Sequence, residues 1–378
     1  MDFSLSDEQG MLKDSIEKFV QNDYDFDTRR KIMAADEGFS REVWGQMAEL
    51  GWLAVPFAED DGGFGGGAIE LMLVMEQIGR GLIVEPYLAT VVLAGGFLKR
   101  AGSAEQKEKY LAGIIDGSKL GAFAFAEPQG RFNLADLTTT ATADGDGYVL
   151  NGHKAVVLNG PSADFLVVSA RTSGEQRDAD GVSVFVLDAD TAGISRRDYP
   201  TVDGLRAAEI TFENVRVGAD ALIGEAGKAL PLVQEVIDEA TLAVGCEAVG
   251  NMEVAYKSTV EYSKQRVQFG QPIGKFQVLQ HRMVDMFMEY EQSKSLMYMA
   301  AMRLDEGYGP VAQKAISGFK VQVGKSGRFV GQQAVQLHGG MGMTEELHIG
   351  HYFKRLTMID TLFGNVDFHL RRYGNISA

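Results

Sequence analysis

The sequence predicts an α+β protein that is mostly helical: a helical N-terminal segment, a β-rich middle and a helical C-terminal half. Three observations carry this. Apolar residues recur at three- and four-residue spacing through most of the first 115 positions. Between Leu120 and Val217 the composition shifts to short runs rich in Val, Thr, Phe and Tyr, punctuated by Asp-Gly and Asn-Gly. Beyond Gly224 three apolar-periodic stretches (230–264, 278–306 and 311–337) are each too long for ordinary surface helices and predict an antiparallel bundle.

In order, residues 4–24 read as a helix capped by Ser6, with Leu5, Met11, Leu12, Ile16, Phe19 and Val20 at helical spacing. Residues 41–50 repeat the pattern through Val43, Trp44, Met47 and Leu50. The run Asp60-Asp61-Gly62-Gly63-Phe64-Gly65-Gly66-Gly67 reads as a loop. A phosphate cradle is the alternative, but the run lacks a following Lys-Ser/Thr and its aspartates repel phosphate. Residues 69–79 and 87–101 are helical again, and Ser103-Ala104-Glu105-Gln106 is a capping start. In the β-rich block Asp144-Gly145-Asp146-Gly147 is the strongest hairpin signal, and 165–170, 182–188 and 209–212 are strands, predicting a small antiparallel barrel or sandwich. The methionines 283, 286, 288, 297, 299 and 302 suit core or subunit packing more commonly than an adaptable groove.

The bulk numbers set the class. With 378 residues, 45% hydrophobic and 23% charged, the chain is an ordinary globular one, large enough for two or three domains. A net charge of −16 argues against nucleic acid or an anionic membrane as a partner. One cysteine, Cys246, excludes an intrachain disulfide framework, and no signal peptide or long apolar span is visible, so a cytoplasmic location is expected. No metal-ligand pattern stands out.

Two stretches interrupt the C-terminal helices. Residues 266–276, Arg-Val-Gln-Phe-Gly-Gln-Pro-Ile-Gly-Lys-Phe, place an arginine just before a Phe-Gly turn. Its rigid fork of donors suits phosphate oxygens, while the alternative is a cation at a helix C-terminus. The second is Gln336-Leu337-His338-Gly339-Gly340-Met341-Gly342.

This order, with the glycine loop near residue 62, Ala126-Glu127-Pro128, Arg266-x-x-Phe269-Gly270-x-Pro272-Ile273 and Gln336-x-His338-Gly339-Gly340-x-Gly342, resembles the acyl-CoA dehydrogenase family along essentially the whole chain. The resemblance implies an N-terminal helical domain (1–119), a middle antiparallel β-barrel domain (120–225) and a C-terminal four-helix bundle (226–378). It implies FAD as cofactor and α,β-dehydrogenation of an acyl-CoA thioester. In that reaction a glutamate removes the α-proton and a hydride passes to the flavin. In such enzymes FAD spans a subunit interface. Arg266 is then expected at the pyrophosphate with Gln268 and Phe269 beside it, Ile273 and Phe276 lining the adenosine, and Gln336, Leu337, Gly339 and Gly340 at the ADP portion.

The flavin-ring half departs from the pattern. Arg131-Phe132-Asn133 stands where the family has Gly-Ser/Thr-Asp, and Val156 and Leu158 stand at the ring-wall aromatic and the hydroxyl of Lys-x-Trp-x-Ser/Thr. The family's glutamate falls on Phe363, or on Gly364 with a one-residue slip, and its other known position falls on Ala240. No catalytic residue is assigned. Neighbouring Glu239 points away around the helix, and Glu247 suits a structural ion pair about as well as a base. The pattern resembles the small subunits of bacterial heteromeric acyl-CoA dehydrogenases of the pimeloyl-CoA and steroid side-chain type. It implies a large-subunit partner in an α2β2 assembly and an electron-transferring flavoprotein as acceptor. A self-sufficient homo-oligomer using Glu247, or a flavin-free scaffold, are the alternatives.

Overall fold

The computed structural model describes residues 4–377. The chain begins with helices α1 (Asp7–Asn22), α2 (Phe26–Met33), α3 (Arg41–Glu49), α4 (Ala68–Gly81) and α5 (Gly95–Ala101). Two short helices, α6 (Ala104–Gln106) and α7 (Ala112–Ile115), follow around a π-turn. The strands are β1 (Gly121–Ala124), β2 (Thr140–Asp144), β3 (Gly147–Leu158), β4 (Phe165–Arg171), β5 (Val182–Asp188), β6 (Ile194–Pro200), β7 (Arg206–Gly218) and β8 (Leu222–Ile223). Then come α8 (Leu230–Gln265), a hairpin of β9 (Val267–Gln268) and β10 (Gln271–Pro272), α9 (Gln277–Asp305), α10 (Pro310–His338), α11 (His348–Thr361) and α12 (Val366–Asn375). The three long predicted helices agree with α8, α9 and α10 to within a residue at each end. Ser6 and Ser103 cap α1 and α6, each with a glutamine three residues on that closes a capping box.

The residues pack as two compact units. One comprises Ile32–Gly66 and Val84–Ala240 and holds the sheet. Its strand order is β6-β7-β3-β2-β4-β5-β8, with β1 beside β4. This corrects the expected closed antiparallel barrel: the sheet is open, because β6 and β8 end the order without pairing to each other, and β1 and β2 both meet β4 in parallel. The physical reason lies in the edges. Strand β8 has only two residues, and β6 carries Arg196, Arg197 and Asp198, charges that blunt an edge against further pairing. Strand β4, which pairs with β1, β2 and β5, is buried along its whole length and is apolar apart from Ser169 and Arg171. Leu150, Leu166, Val168, Phe185, Ile210 and Phe212 fill one face. The predicted hairpin forms across Asp144 and Gly147, with Gly145 left-handed at φ 64°.

The other unit comprises the chain up to Lys31, Gly67–Ile83 and the chain from Thr241 onward, and it is helical. Helix α10 packs against α9, α11 and α12. Helices α4 and α8 touch at glycines: a Cβ on Gly79 would collide with the Glu247 carbonyl oxygen, and one on Gly250 with that of Glu76. Met286 and Met297 are core residues, whereas Met288 is exposed. Cys246 is fully buried, and burial pushes its thiol well above the usual range, which leaves it unreactive.

Candidate cofactor half-site

Helix α8 ends directly in the β9–β10 hairpin, where Val267 pairs with Pro272 and Gln268 with Gln271. Its two turn residues, Phe269 (φ 53°) and Gly270 (φ 78°), are both left-handed. Glycine adopts this at no steric cost, but a bulky side chain there costs about 1–3 kcal/mol. Phe269 is nevertheless 92% exposed, its ring meeting only the edge of Phe276 at 6.1 Å between centroids. A strained, exposed aromatic at a hairpin tip adds nothing to this chain's core.

The backbone beside it is fixed. The Arg266 N–H donates to the Tyr262 carbonyl (2.8 Å), and the Arg266 carbonyl accepts from the Ile273 N–H (2.8 Å). The Arg266 guanidinium itself is exposed and has no hydrogen bond or ion pair among the described residues. The Gln268 amide donates to the Val267 carbonyl (2.8 Å), and Ile273 and Phe276 sit half-buried behind the hairpin. Arg266 does stand at the C-terminus of α8, where a cation suits the helix dipole, but its side chain donates to no helix carbonyl and is left free for a further partner.

The second stretch ends α10. Gln336 is exposed; Leu337 is turned into the core at 7% exposure, so only its backbone is available to a ligand. Gly339 (φ 60°, ψ −139°) holds a conformation that is essentially glycine-only, and neither Gly339 nor Gly340 has an atom within 4 Å of where a Cβ would stand. The backbone here can be approached closely from outside. The ends of α8 and α10 meet, with the Tyr262 and His338 rings stacked at 4.3 Å.

On the sheet, β3 bulges against β7 between Lys154 and Val157, which leaves Val156 left-handed (φ 52°) and 45% exposed. A β-branched residue in that region is an outlier. Beside it the buried Lys154 amine donates to Glu127 (2.7 Å). Glu127 also accepts from the Thr138 N–H and hydroxyl and from the Thr139 N–H. Burial alone would raise the Glu127 carboxyl, but the Lys154 charge and these donors hold it at about 2. Asn133 uses its side-chain oxygen on the Ala135 N–H, Leu158 is half-buried, and neither the Val156 nor the Leu158 side chain can hydrogen-bond a ring.

No candidate base is free. Glu247, 3% exposed, takes a bidentate contact from Arg355, with Nε to Oε1 at 2.5 Å and Nη2 to Oε2 at 2.7 Å. Glu239 accepts from Lys99 (2.7 Å) and Arg100 (3.0 Å). Burial raises its carboxyl, but these two cations hold it below the usual range. Ala240 is fully buried. Phe363 is left-handed (φ 56°), and a side chain on Gly364 would collide with Phe368 and His369. This turn is held by groups not foreseen from the sequence. The buried Lys320 amine donates to the Asp360 and Gly364 carbonyls (3.1 and 2.7 Å), and His369 Nε2–H donates to the Phe363 carbonyl (3.1 Å). The available signal was a lone lysine between Phe319 and Val321 on an apolar helix.

The glycine loop is a loop, as read. Asp61 pairs with Lys107 (2.8 Å), and the adjoining cavity of about 450 Å³ is lined by Asp60, Asp61 and Glu108 against that one lysine, a poor fit for phosphate. Among the described residues no helix is long and apolar enough to cross a membrane, and no side-chain cluster could hold a metal ion.

Comparison with known proteins decides the family. Models of the N-terminal, middle and C-terminal domains of acyl-CoA dehydrogenase match residues 6–118, 122–215 and 227–375. The short-chain-specific acyl-CoA dehydrogenase of Megasphaera elsdenii is 31% identical over 369 residues, covering 94% of each chain. The chain belongs to the acyl-CoA dehydrogenase family. The solved butyryl-CoA dehydrogenase of the same organism superposes with a TM-score of 0.90 at 28% identity, covering 99% of both chains. A chain of the ChsE4-ChsE5 complex from Mycobacterium tuberculosis superposes equally well, at 26% identity over 99% of this chain and 98% of that one.

As a member of this family of acyl-CoA dehydrogenases the protein is an FAD-dependent oxidoreductase. Its residues fit the cofactor unevenly. The unpaired Arg266 guanidinium suits a bidentate phosphate contact, and the open Gly339–Gly340 backbone suits close approach by a nucleotide. At the positions that the family resemblance assigns to the flavin ring, the side chains of Phe132, Val156 and Leu158 carry no hydrogen-bonding group.

Proposed function

We propose that this chain is the subunit of a heteromeric acyl-CoA dehydrogenase that lends the adenosine and pyrophosphate half-site to FAD held by its ring in a homologous large subunit. The observation that carries the reading is the pairing of an exposed, unpartnered Arg266 with a strained, 92% exposed Phe269, set against the apolar side chains of Phe132, Val156 and Leu158 where the family has hydrogen-bonding or ring-stacking residues. Such features find their partners outside the chain. Val284, Phe287 and Met288 on α9 add an exposed apolar stripe, 45–54% exposed, consistent with a subunit face.

Bound FAD supplies the hydride acceptor. The work of this chain's residues is to hold the diphosphate through Arg266, to admit the nucleotide over Gly339 and Gly340, and to exclude water with Phe269 and Phe276. The α-proton falls to a glutamate of the partner, since Glu247 is committed to Arg355. An α2β2 assembly, division at 119/120 and 225/226, a cytoplasmic site of action and an electron-transferring flavoprotein as acceptor belong to the same proposal.

The test is production of the chain alone and together with a family member that carries the ring-side aromatic, hydroxyl and glutamate. Stoichiometric flavin and acyl-CoA turnover should appear only in the co-produced complex. A lone chain that is fully yellow and turns over acyl-CoA overturns the proposal.

A further inference from the structure

Two histidines flank the loop that carries Gly339 and Gly340. His338 closes α10 just before it, and His348 opens α11 just after it. Both dock on one face of α8. The His338 ring stacks on Tyr262 at 4.3 Å and 27°, and His348 Nε2 meets the Ser258 hydroxyl at 3.1 Å. Ser258 and Tyr262 are four residues apart and therefore neighbours on the helix surface. Tyr262 is also the residue whose carbonyl receives the Arg266 N–H at 2.8 Å. One side chain thus touches the start of the glycine loop while its backbone fixes the start of the arginine hairpin.

The bracket is backed on its other sides. His338 Nδ1–H donates to the Ala334 carbonyl (2.8 Å), which sets the ring plane. Phe26 packs edge-on against His348 and His351, and Arg29 meets His351 Nδ1 at 3.1 Å. Gly342 seats the loop on the last turn of α10, where a Cβ would stand 2.8 Å from the Val335 carbonyl, while Gly339 and Gly340 face open space. Burial lowers the proton affinity of both His338 and His348, in keeping with uncharged rings docked on α8.

We propose that Tyr262 is a positioning residue that, through its stack on His338, sets the separation between Arg266 and the Gly339–Gly340 backbone, and so the fit of the two to one diphosphate-bearing nucleotide. The proposal rests on the half-site reading above. A 1 Å misplacement of a binding group is enough to weaken a contact of this kind substantially.

The test uses the assembled flavoenzyme and measures the FAD dissociation constant by flavin fluorescence, alongside thermal unfolding. Tyr262→Leu should weaken FAD by fivefold or more, and Tyr262→Phe, which keeps the ring, should stay within twofold of the parent. Val330→Ala, a core truncation elsewhere on α10, supplies the control for mere loss of stability. The Arg266→Ala and Tyr262→Leu losses should be sub-additive when combined, because both act on the same contact. FAD affinity in Tyr262→Leu no weaker than in Val330→Ala, or strictly additive losses with Arg266→Ala, overturns the positioning role. Unchanged FAD affinity in Arg266→Ala overturns the half-site reading itself, so the two failures are distinguishable.

Discussion

Replacing Glu247 by glutamine separates a structural role from a catalytic one. The carboxylate and the Arg355 guanidinium share two short contacts at 3% and 6% exposure. Removing one partner of a buried pair leaves the other charge uncompensated, which costs about 3–5 kcal/mol. Glutamine keeps one acceptor oxygen and the side-chain volume, so the lower end applies, about 3 kcal/mol. That corresponds to a fall in unfolding midpoint of about 6–12 °C for a domain of this size class. Replacing both partners by Leu and Met should recover most of it, because apolar residues of similar volume often substitute for a buried pair at little cost. Thermal and urea unfolding of the assembled enzyme, with turnover normalised to bound flavin, make the comparison. Unchanged stability with abolished turnover would refute the reasoning and return Glu247 to the list of bases.

Two further outcomes follow from local geometry and titration. Val156→Gly should raise stability by up to about 1 kcal/mol in urea unfolding, since glycine takes the left-handed conformation of this half-exposed bulge freely; a loss would mean that the valine side chain packs more than its exposure suggests. His369 is pushed down to about 3, chiefly by burial and then by the Lys320 charge, with Arg372 adding to it. Below pH 6.5 the unfolded chain takes up a proton that the folded chain refuses. Stability should therefore fall as pH drops from 6.5 toward 3, by about 1.4 kcal/mol per pH unit from this residue. His338, His348 and His351 are shifted in the same direction. His369→Asn should flatten the slope of urea stability between pH 6.5 and 4.5; an unchanged slope assigns the acid loss to other groups.

The helices were legible because their information is local. The capping pairs at Ser6 and Ser103 and the three long apolar periods each lie within one segment. The sheet's openness was not, because whether β6 meets β8 depends on tertiary pairing that no strand sequence states. The parallel contact of β1 with β4 escaped for the same reason, as did the packing of α4 on α8 through Gly79 and Gly250, whose partners lie about 170 residues away along the chain. At the site, Arg266 and Gly339–Gly340 stood out as breaks in long periodic runs. The ion pair that occupies Glu247 could not be read, since Arg355 sits on another helix with no spacing rule linking the two.

The central claim is that Arg266 reaches out of its own chain to a cofactor, and charge reversal there tests it most directly. In the assembled enzyme, Arg266→Glu removes a charge-assisted contact of about 1.5–3 kcal/mol and adds repulsion, so FAD affinity should drop at least tenfold to a hundredfold. The unfolding midpoint of the isolated chain should stay within a degree or two, because the guanidinium bonds to none of its described residues. Undiminished flavin content in the Arg266→Glu complex would contradict the account.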